Sequence, residues 1–221
     1  METEQERQAT GAQGMATPGD DEFHLERLVL ASGSPRRADI LRAGGWLFDI
    51  CAPDIDESRH PGEDAVVYVE RLALAKAKAG ARLNPSRVVV GADTIVLIEG
   101  EILGKPRHED DARRMLLLLS GRCHEVITGI AILRPGRDGP ESGNERVEHA
   151  VTSVQFASMT EAEIEWYLAT GEAMDKAGAY AIQGKAARFI EQIQGDYLNI
   201  VGLPVRLLYK LLSEPPAVAG G

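Results

Sequence analysis

The ten residues Leu28-Val29-Leu30-Ala31-Ser32-Gly33-Ser34-Pro35-Arg36-Arg37 constrain the fold more than any other part of this chain. Four apolar residues read as a short buried strand. Ser32-Gly33-Ser34 turns the chain, and Pro35 fits the first position of a helix, where no backbone N–H is needed. A strand passing through a small-residue turn into a helix is the start of an α/β unit. The helix start leaves unpaired N–H groups with partial positive charge, and Arg36 and Arg37 add forked donors that match phosphate oxygens. The arrangement suits an anion, and a polyphosphate in particular.

Strand and helix patterns alternate through the rest of the 221 residues. Strands are expected at Leu28–Ala31, Trp46–Ala52 and Arg87–Ala92, the last continued by Thr94–Ile98. Glu99-Gly100 reads as a hairpin turn into Glu101–Leu103, and Cys123–Leu133 and Val147–Ala157 as two long antiparallel strands. Helices are expected at Pro35–Ala43, stopped by Gly44-Gly45, and at Asp64–Ala81, with Val67, Arg71 and Leu74 at helical spacing. Others are expected at His108–Leu119, from the capping box Thr160-x-x-Glu163 to Ala169, and at Leu203–Leu212 with Pro204 at its start. Long antiparallel strands in the second half favour α/β with a mixed sheet over a purely parallel one. Residues 1–22 read as a disordered tail, 23–212 as one domain, 213–221 as a flexible end, and the Pro/Gly-rich segment 134–146 as a mobile loop.

The formal charge of -10 argues against nonspecific binding to nucleic acid or to an anionic membrane. A phosphate-bearing small molecule stays possible, because a few cations can make a local positive cavity. Cys51 and Cys123 lack metal-ligand spacing and sit in apolar runs, so both are expected to be buried, reduced and inert. The N-terminal stretch has no apolar signal region, and a soluble cytoplasmic protein is expected.

Asp93 is the most conspicuous acid. It follows Val88-Val89-Val90-Gly91-Ala92, a run that reads as buried on both faces. A carboxylate at the end of such a strand is costly unless paired, metal-bound or solvated in a cleft, and strand ends are where α/β sheets bind ligands. It is a candidate base for activating water. Glu57, in Asp54-Ile55-Asp56-Glu57, could share a magnesium ion with it, though spacing does not separate Glu57 from Asp54 or Asp56. Lys76 sits on the inner side of the Ala-rich helix, and Lys105 is aimed by Gly104 and Pro106. Lys176 to Lys185 reads as a ligand loop, in which the Gln183 amide suits a base edge. Gly195-Asp196-Tyr197 and Asn199 are expected along the same cleft.

Five blocks in this order resemble the Maf-like nucleoside triphosphate pyrophosphatases. They are Ala31-Ser32-Gly33-Ser34-Pro35-Arg36-Arg37, Val90-Gly91-Ala92-Asp93-Thr94, Leu103-Gly104-Lys105-Pro106, Lys176-Ala177-Gly178-Ala179-Tyr180-Ala181-Ile182-Gln183-Gly184 and Asn199-Ile200-Val201-Gly202-Leu203-Pro204. The resemblance implies an elongated, twisted mixed sheet flanked by helices, with a deep cleft between two lobes, similar to inosine triphosphate pyrophosphatases. It implies hydrolysis of a nucleoside triphosphate to the monophosphate and pyrophosphate with a divalent cation, magnesium or manganese, and a homodimer. By position in the motifs, Asp93 takes the proton-acceptor role, and Arg36, Thr94 and Gln183 set base specificity. Ser34, Arg37, Lys76 and Lys105 fall at phosphate contacts, and Glu57 with Asp93 at the metal. The branch acting on dTTP and UTP is similar at Ser-Pro-Arg-Arg, Asp-Thr and Ile-Gln, whereas the 7-methyl-GTP branch differs at all three. The family's link to septum formation gives an alternative, a nucleotide-binding regulator of cell division whose catalysis is incidental.

Overall fold

The computed structural model describes residues 26–136 and 144–214. Seven strands form one mixed sheet in the order β2-β1-β3-β5-β6-β7, with β4 attached to β3. The strands are β1 (Leu28–Ala31), β2 (Phe48–Ile50), β3 (Val89–Ile98), β4 (Glu101–Leu103), β5 (Cys123–Leu133), β6 (Glu145–Phe156) and β7 (Ile190–Gln194). The helices are α1 (Pro35–Ala43), α2 (Ala65–Leu83), α3 (Glu109–Leu119), α4 (Glu161–Leu168), α5 (Tyr197–Val201) and α6 (Val205–Ser213). β1 runs parallel to β2 and β3, and the remaining pairs are antiparallel.

One topological detail makes the cleft. β5 pairs with β3 without interruption from Val89 to Leu97. The opposite edge of β3 is shared: β1 takes Val89–Gly91 and β4 takes Val96–Ile98. Between them, Ala92–Ile95 have no strand partner on that side. The turn Glu99-Gly100, with φ of 50° and 81°, closes Ile98 on Glu101. The bonded pair at a two-residue hairpin turns the backbone groups of even-numbered β3 residues toward this edge. Val29 N donating to Val88 O at 2.8 Å shows the same parity beside β1. The N–H and C=O of Ala92 and Thr94 therefore face the gap.

The two faces of the sheet are covered differently. Among the described residues α2 alone crosses one face, burying Val69, Ala73, Ala77 and Ala81 against Val29, Val89, Ile95, Ile127 and Ala131. The helix comes close because Gly91 and Gly129 oppose it. A Cβ at Gly91 would lie 2.7 Å from Ala77 N and collide with Ala73 O, and one at Gly129 would lie 2.5 Å from Val69 O. The other face carries two separate cores. α1, α5 and α6 pack with Leu30, Val90, Ile130 and Ile132, while α3 and α4 pack with Val96, Val126, Val154 and Phe156. Between these cores runs a polar seam of Thr94, Thr128, Thr152 and Asn199, of which the last three are fully buried.

Several expectations change in the folded chain. Thr94–Ile98 continues the preceding run as one strand that begins at Val89, so Asp93 lies in its middle, at the break in its edge, and not at a strand end. β2 is shorter than Trp46–Ala52, because Trp46 is buried beside α1 and Ala52 turns toward the cleft. The buried stripe of α2 runs through Ala65, Val69, Leu72, Ala73 and Ala77, so Val67 is exposed. Asp64, His108 and Pro204 are N-caps. Cys123 is exposed and Cys51 half-buried, which overturns the expectation that both lie in the core; each sits at a strand end. β7 and α5 were not anticipated, since Ile190–Gln194 is too polar and Tyr197–Val201 too short for a periodic signal. The capping box at Thr160 and Glu163 forms as expected. The N-terminal tail and most of the C-terminal one lie outside the described residues, as do residues 137–143 of the 134–146 loop.

His124 on β5 is buried edge-on against Phe156 and Tyr180, with Nε2 2.9 Å from the Tyr180 hydroxyl. Burial pushes its pKa from 6.5 down to about 4. Between these values the unfolded chain binds the extra proton and the folded chain does not, so stability falls as pH drops through that window. The full loss is about 3 kcal/mol. Denaturation at pH 7 and pH 4 is expected to show the wild type losing most of that amount relative to His124→Gln.

Candidate active site

The break in the edge of β3 opens into a cavity of about 660 Å³. Successive residues of a strand point to opposite faces. Asp93 accordingly meets α2, and Thr94 meets the polar seam on the other face. With no neighbouring strand at this point, both reach the same cavity.

On the α2 side, Lys76 Nζ lies 2.6 Å from Asp93 Oδ1 and 2.7 Å from Glu57 Oε1. Lys76 and Asp93 are each about 12% exposed at the side chain, so the pair compensates a carboxylate that the strand would otherwise bury uncompensated. Glu57 reaches it from the segment between β2 and α2, which α2 itself holds. Tyr68 OH donates to Glu57 O at 2.8 Å, Arg71 Nη2 donates to Ser58 O at 3.0 Å, and Arg71 grips Glu63 at 2.6 and 2.8 Å. The Arg71 bonds, helped by His60 N, hold the Glu63 carboxylate down at about 2. Of Glu57, Asp54 and Asp56, Glu57 lines the cavity and the other two do not. The Asp56 carboxylate accepts from Ser58 N at 2.9 Å instead.

On the α1 side, Ser34 is the N-cap but makes no side-chain capping bond. The N–H groups of the first turn thus stay open toward the cavity, the condition under which a helix start attracts an anion. Arg37 is buried with all three nitrogens engaged: Nε donates to Gly202 O at 2.8 Å, Nη1 to Ser32 Oγ at 2.9 Å and Nη2 to Thr94 Oγ1 at 2.9 Å. Burial lowers its pKa, opposed by the Asp93 carboxylate. Arg37 therefore ties α1, the Ser32 turn, β3 and the end of α5 together, and keeps only second N–H groups for a ligand. Arg36 is freer. Its Nη1 meets Asp175 at 3.2 Å, across the cleft from α1, and Asp175 also pairs with Lys176.

Lys105, Lys176, Tyr180 and Gln183 complete the walls. Gly178 makes this possible: it takes φ of +68° and donates its N–H to Gly104 O at 3.1 Å, joining the Lys176–Gln183 loop to the Lys105 turn. The residues that the motifs assign to the site, Ser34, Arg36, Arg37, Glu57, Lys76, Asp93, Thr94, Lys105 and Gln183, all line this one cavity. Gly195-Asp196-Tyr197 does not, because Asp196 caps α5, and Lys185 turns away to Glu172. Asn199 lies behind the wall. Tyr68 and Asp175 are wall residues that sequence reasoning missed. Tyr68 shares a face with Lys76, eight residues on, a spacing that could have revealed it.

The two carboxylates fit a hard cation only in part. They converge on one point, where the Lys76 ammonium now sits, but among the described residues no group of three acidic, His or Cys side chains could enclose an ion. A magnesium or manganese ion here would need oxygens from a bound phosphate and water, which is usual for magnesium.

The sequence model of the Maf-like protein family matches residues 27–215. A dTTP/UTP pyrophosphatase from Chromobacterium violaceum is 51% identical over 193 residues, 85% of this chain and 94% of that protein. One from Symbiobacterium thermophilum is 46% identical, covering 89% and 99%, and one from Geobacter sulfurreducens 52% identical, covering 81% and 91%. Among solved structures, the Ham1 protein of Staphylococcus aureus superposes with a TM-score of 0.49 at 15% identity, over 85% of this chain and 98% of that one. No helix among the described residues is long and apolar enough to cross a membrane.

Proposed function

The chain belongs to the Maf-like protein family, and we propose that it is a nucleoside triphosphate pyrophosphatase that hydrolyses dTTP and UTP to the monophosphate and pyrophosphate. The observation that carries this reading is the meeting, in one cavity, of an uncapped helix start with its arginines and a buried carboxylate held by a lysine. The relatives' shared activity supports the choice of substrate.

In this reading the α1 N-terminus, Ser34 and Lys105 hold the triphosphate, with Arg37 fixing the frame and offering its remaining N–H groups. Lys76 holds Asp93 Oδ1, and Asp93 accepts through its carboxylate the proton of the water that attacks the α-phosphorus. The proton must leave as the P–O bond forms, while the bond to the β-phosphate oxygen breaks and pyrophosphate departs. Glu57 and Asp93 would share the divalent cation with the phosphates, and that cation supplies charge neutralisation. Reactions of this class depend on positioning and charge stabilisation, and the cavity supplies both. Arg36, Thr94 and Gln183 surround the base. Thr94 offers an acceptor, and Gln183 both a donor and an acceptor. The working form is a homodimer, as the family resemblance implies.

Pyrophosphate release from dTTP, UTP, CTP, GTP, ATP and 7-methyl-GTP, with magnesium or manganese and with chelator, tests the reading. Metal-dependent turnover centred on dTTP and UTP is the expected result. No turnover of any of them by the folded protein would sink it.

A further inference from the structure

We propose that Thr128, which lies outside the cavity, fixes the direction of the Thr94 hydroxyl, so that Thr94 selects uracil and thymine, which carry a ring N3–H, over cytosine, which does not. The inference rests on the reading above that Thr94 meets the base. Four bonds determine the direction. Thr128 Oγ1 lies 3.1 Å from Asn199 O, and a carbonyl can only accept, so the single hydroxyl proton of Thr128 is committed there. Arg37 Nη2, which can only donate, lies 2.9 Å from Thr94 Oγ1. The contact of 2.9 Å between the Thr94 and Thr128 hydroxyls needs one proton, and only Thr94 has one left. Thr94 therefore donates to Thr128 and accepts from Arg37. Toward the cavity that it lines, its oxygen keeps one lone pair and no proton.

The relay cannot easily reverse. Thr128 and Asn199 are fully buried, and Asn199 is anchored through Nδ2 to Val126 O and Thr152 Oγ1, both at 2.9 Å. Its carbonyl is fixed by the same anchor. Uracil and thymine meet the free lone pair with N3–H. Cytosine meets it, at the same ring position, with a second lone pair. A site that presents a fixed acceptor rejects a ligand without the matching donor more strongly than shape alone can.

Thr128→Val keeps the shape and deletes the acceptor, freeing the Thr94 proton to swing into the cavity and donate to cytosine N3. The preference for UTP over CTP in kcat/KM is expected to narrow by about tenfold, the worth of roughly one hydrogen bond. Thr128→Ser restores the relay and should keep the wild-type preference within about twofold. In the wild type, 3-methyl-UTP, whose methyl replaces the donor, should be used at least about tenfold less well than UTP. An unchanged preference in an active Thr128→Val, a Ser variant that behaves like Val, or equal use of 3-methyl-UTP and UTP would each overturn the proposal. The 3-methyl-UTP comparison decides the matter if Thr128→Val does not fold. A wild type that hydrolyses neither dTTP nor UTP would overturn the proposed function, and this inference with it.

Discussion

Replacing Asp93 by Asn is expected to lower turnover of dTTP and UTP by roughly 10²–10⁴-fold, the range that a positioned general base supplies. The change is nearly isosteric. Asn Oδ1 can still accept from Lys76, which lies 2.6 Å away in the wild type, and Lys76 keeps Glu57 at 2.7 Å, so the cavity holds its shape. What is lost is the ability to take a proton. Affinity for the triphosphate measured without the divalent cation should hold or improve, because a negative charge leaves the neighbourhood of a polyanion. Initial-rate kinetics, paired with binding of a non-hydrolysable dUTP analogue, separates the two effects. An Asn variant that turns over within tenfold of the wild type would remove Asp93 from the proton-acceptor role.

The second large effect concerns folding. Gly91→Val is expected to destabilise the protein by more than about 4 kcal/mol, a large part of a typical domain's stability. The new Cβ would lie 2.7 Å from Ala77 N and against Ala73 O, and both are backbone atoms of α2 that no rotamer change can move. α2 would have to lift from β3, taking Lys76 away from Asp93. Gly104→Ala is the control. A Cβ there meets nothing within 4 Å, and stability should stay within about 0.5 kcal/mol. Thermal or urea unfolding of the two variants reads the contrast directly.

Much of this was legible before any coordinates. The 28–37 run gave β1, its turn and α1, because local composition alone determines such a unit. The long antiparallel pair β5–β6 and the Glu99-Gly100 hairpin were readable for the same reason. Asp93 could be named because a carboxylate stood out in an apolar run, whereas Thr94 and the base-specificity roles of Arg36 and Gln183 came with the family resemblance. Their arrangement could not. That β1 shares the edge of β3 with the hairpin strand β4 is a fact of pairing between segments 60 residues apart, Val29 with Val89, and no local pattern in Val89–Ile98 announces the gap. Asp93 therefore looked like a strand-end residue although it sits mid-strand. Arg37 looked like a free phosphate ligand, because its partners Gly202, Ser32 and Thr94 come together only in the folded chain.

The interrupted edge of β3 has one more consequence. Asp93, the proposed proton acceptor, and its lysine stand on the uninterrupted β3–β5 ladder and the helix behind it, whereas Arg36, Lys105 and Gln183 come from separate surface segments on either side. Floor and walls are thus different structural modules. On the proposed reading, substitutions in the turn before α1 or in the 175–183 loop would retune which base is admitted without disturbing the Lys76–Asp93 pair. Substitutions in the ladder reach both the Lys76–Asp93 pair and the Thr94–Thr128 relay, so they put catalysis and base choice at risk together. A single scaffold of this kind can diversify in substrate while its reaction stays constant.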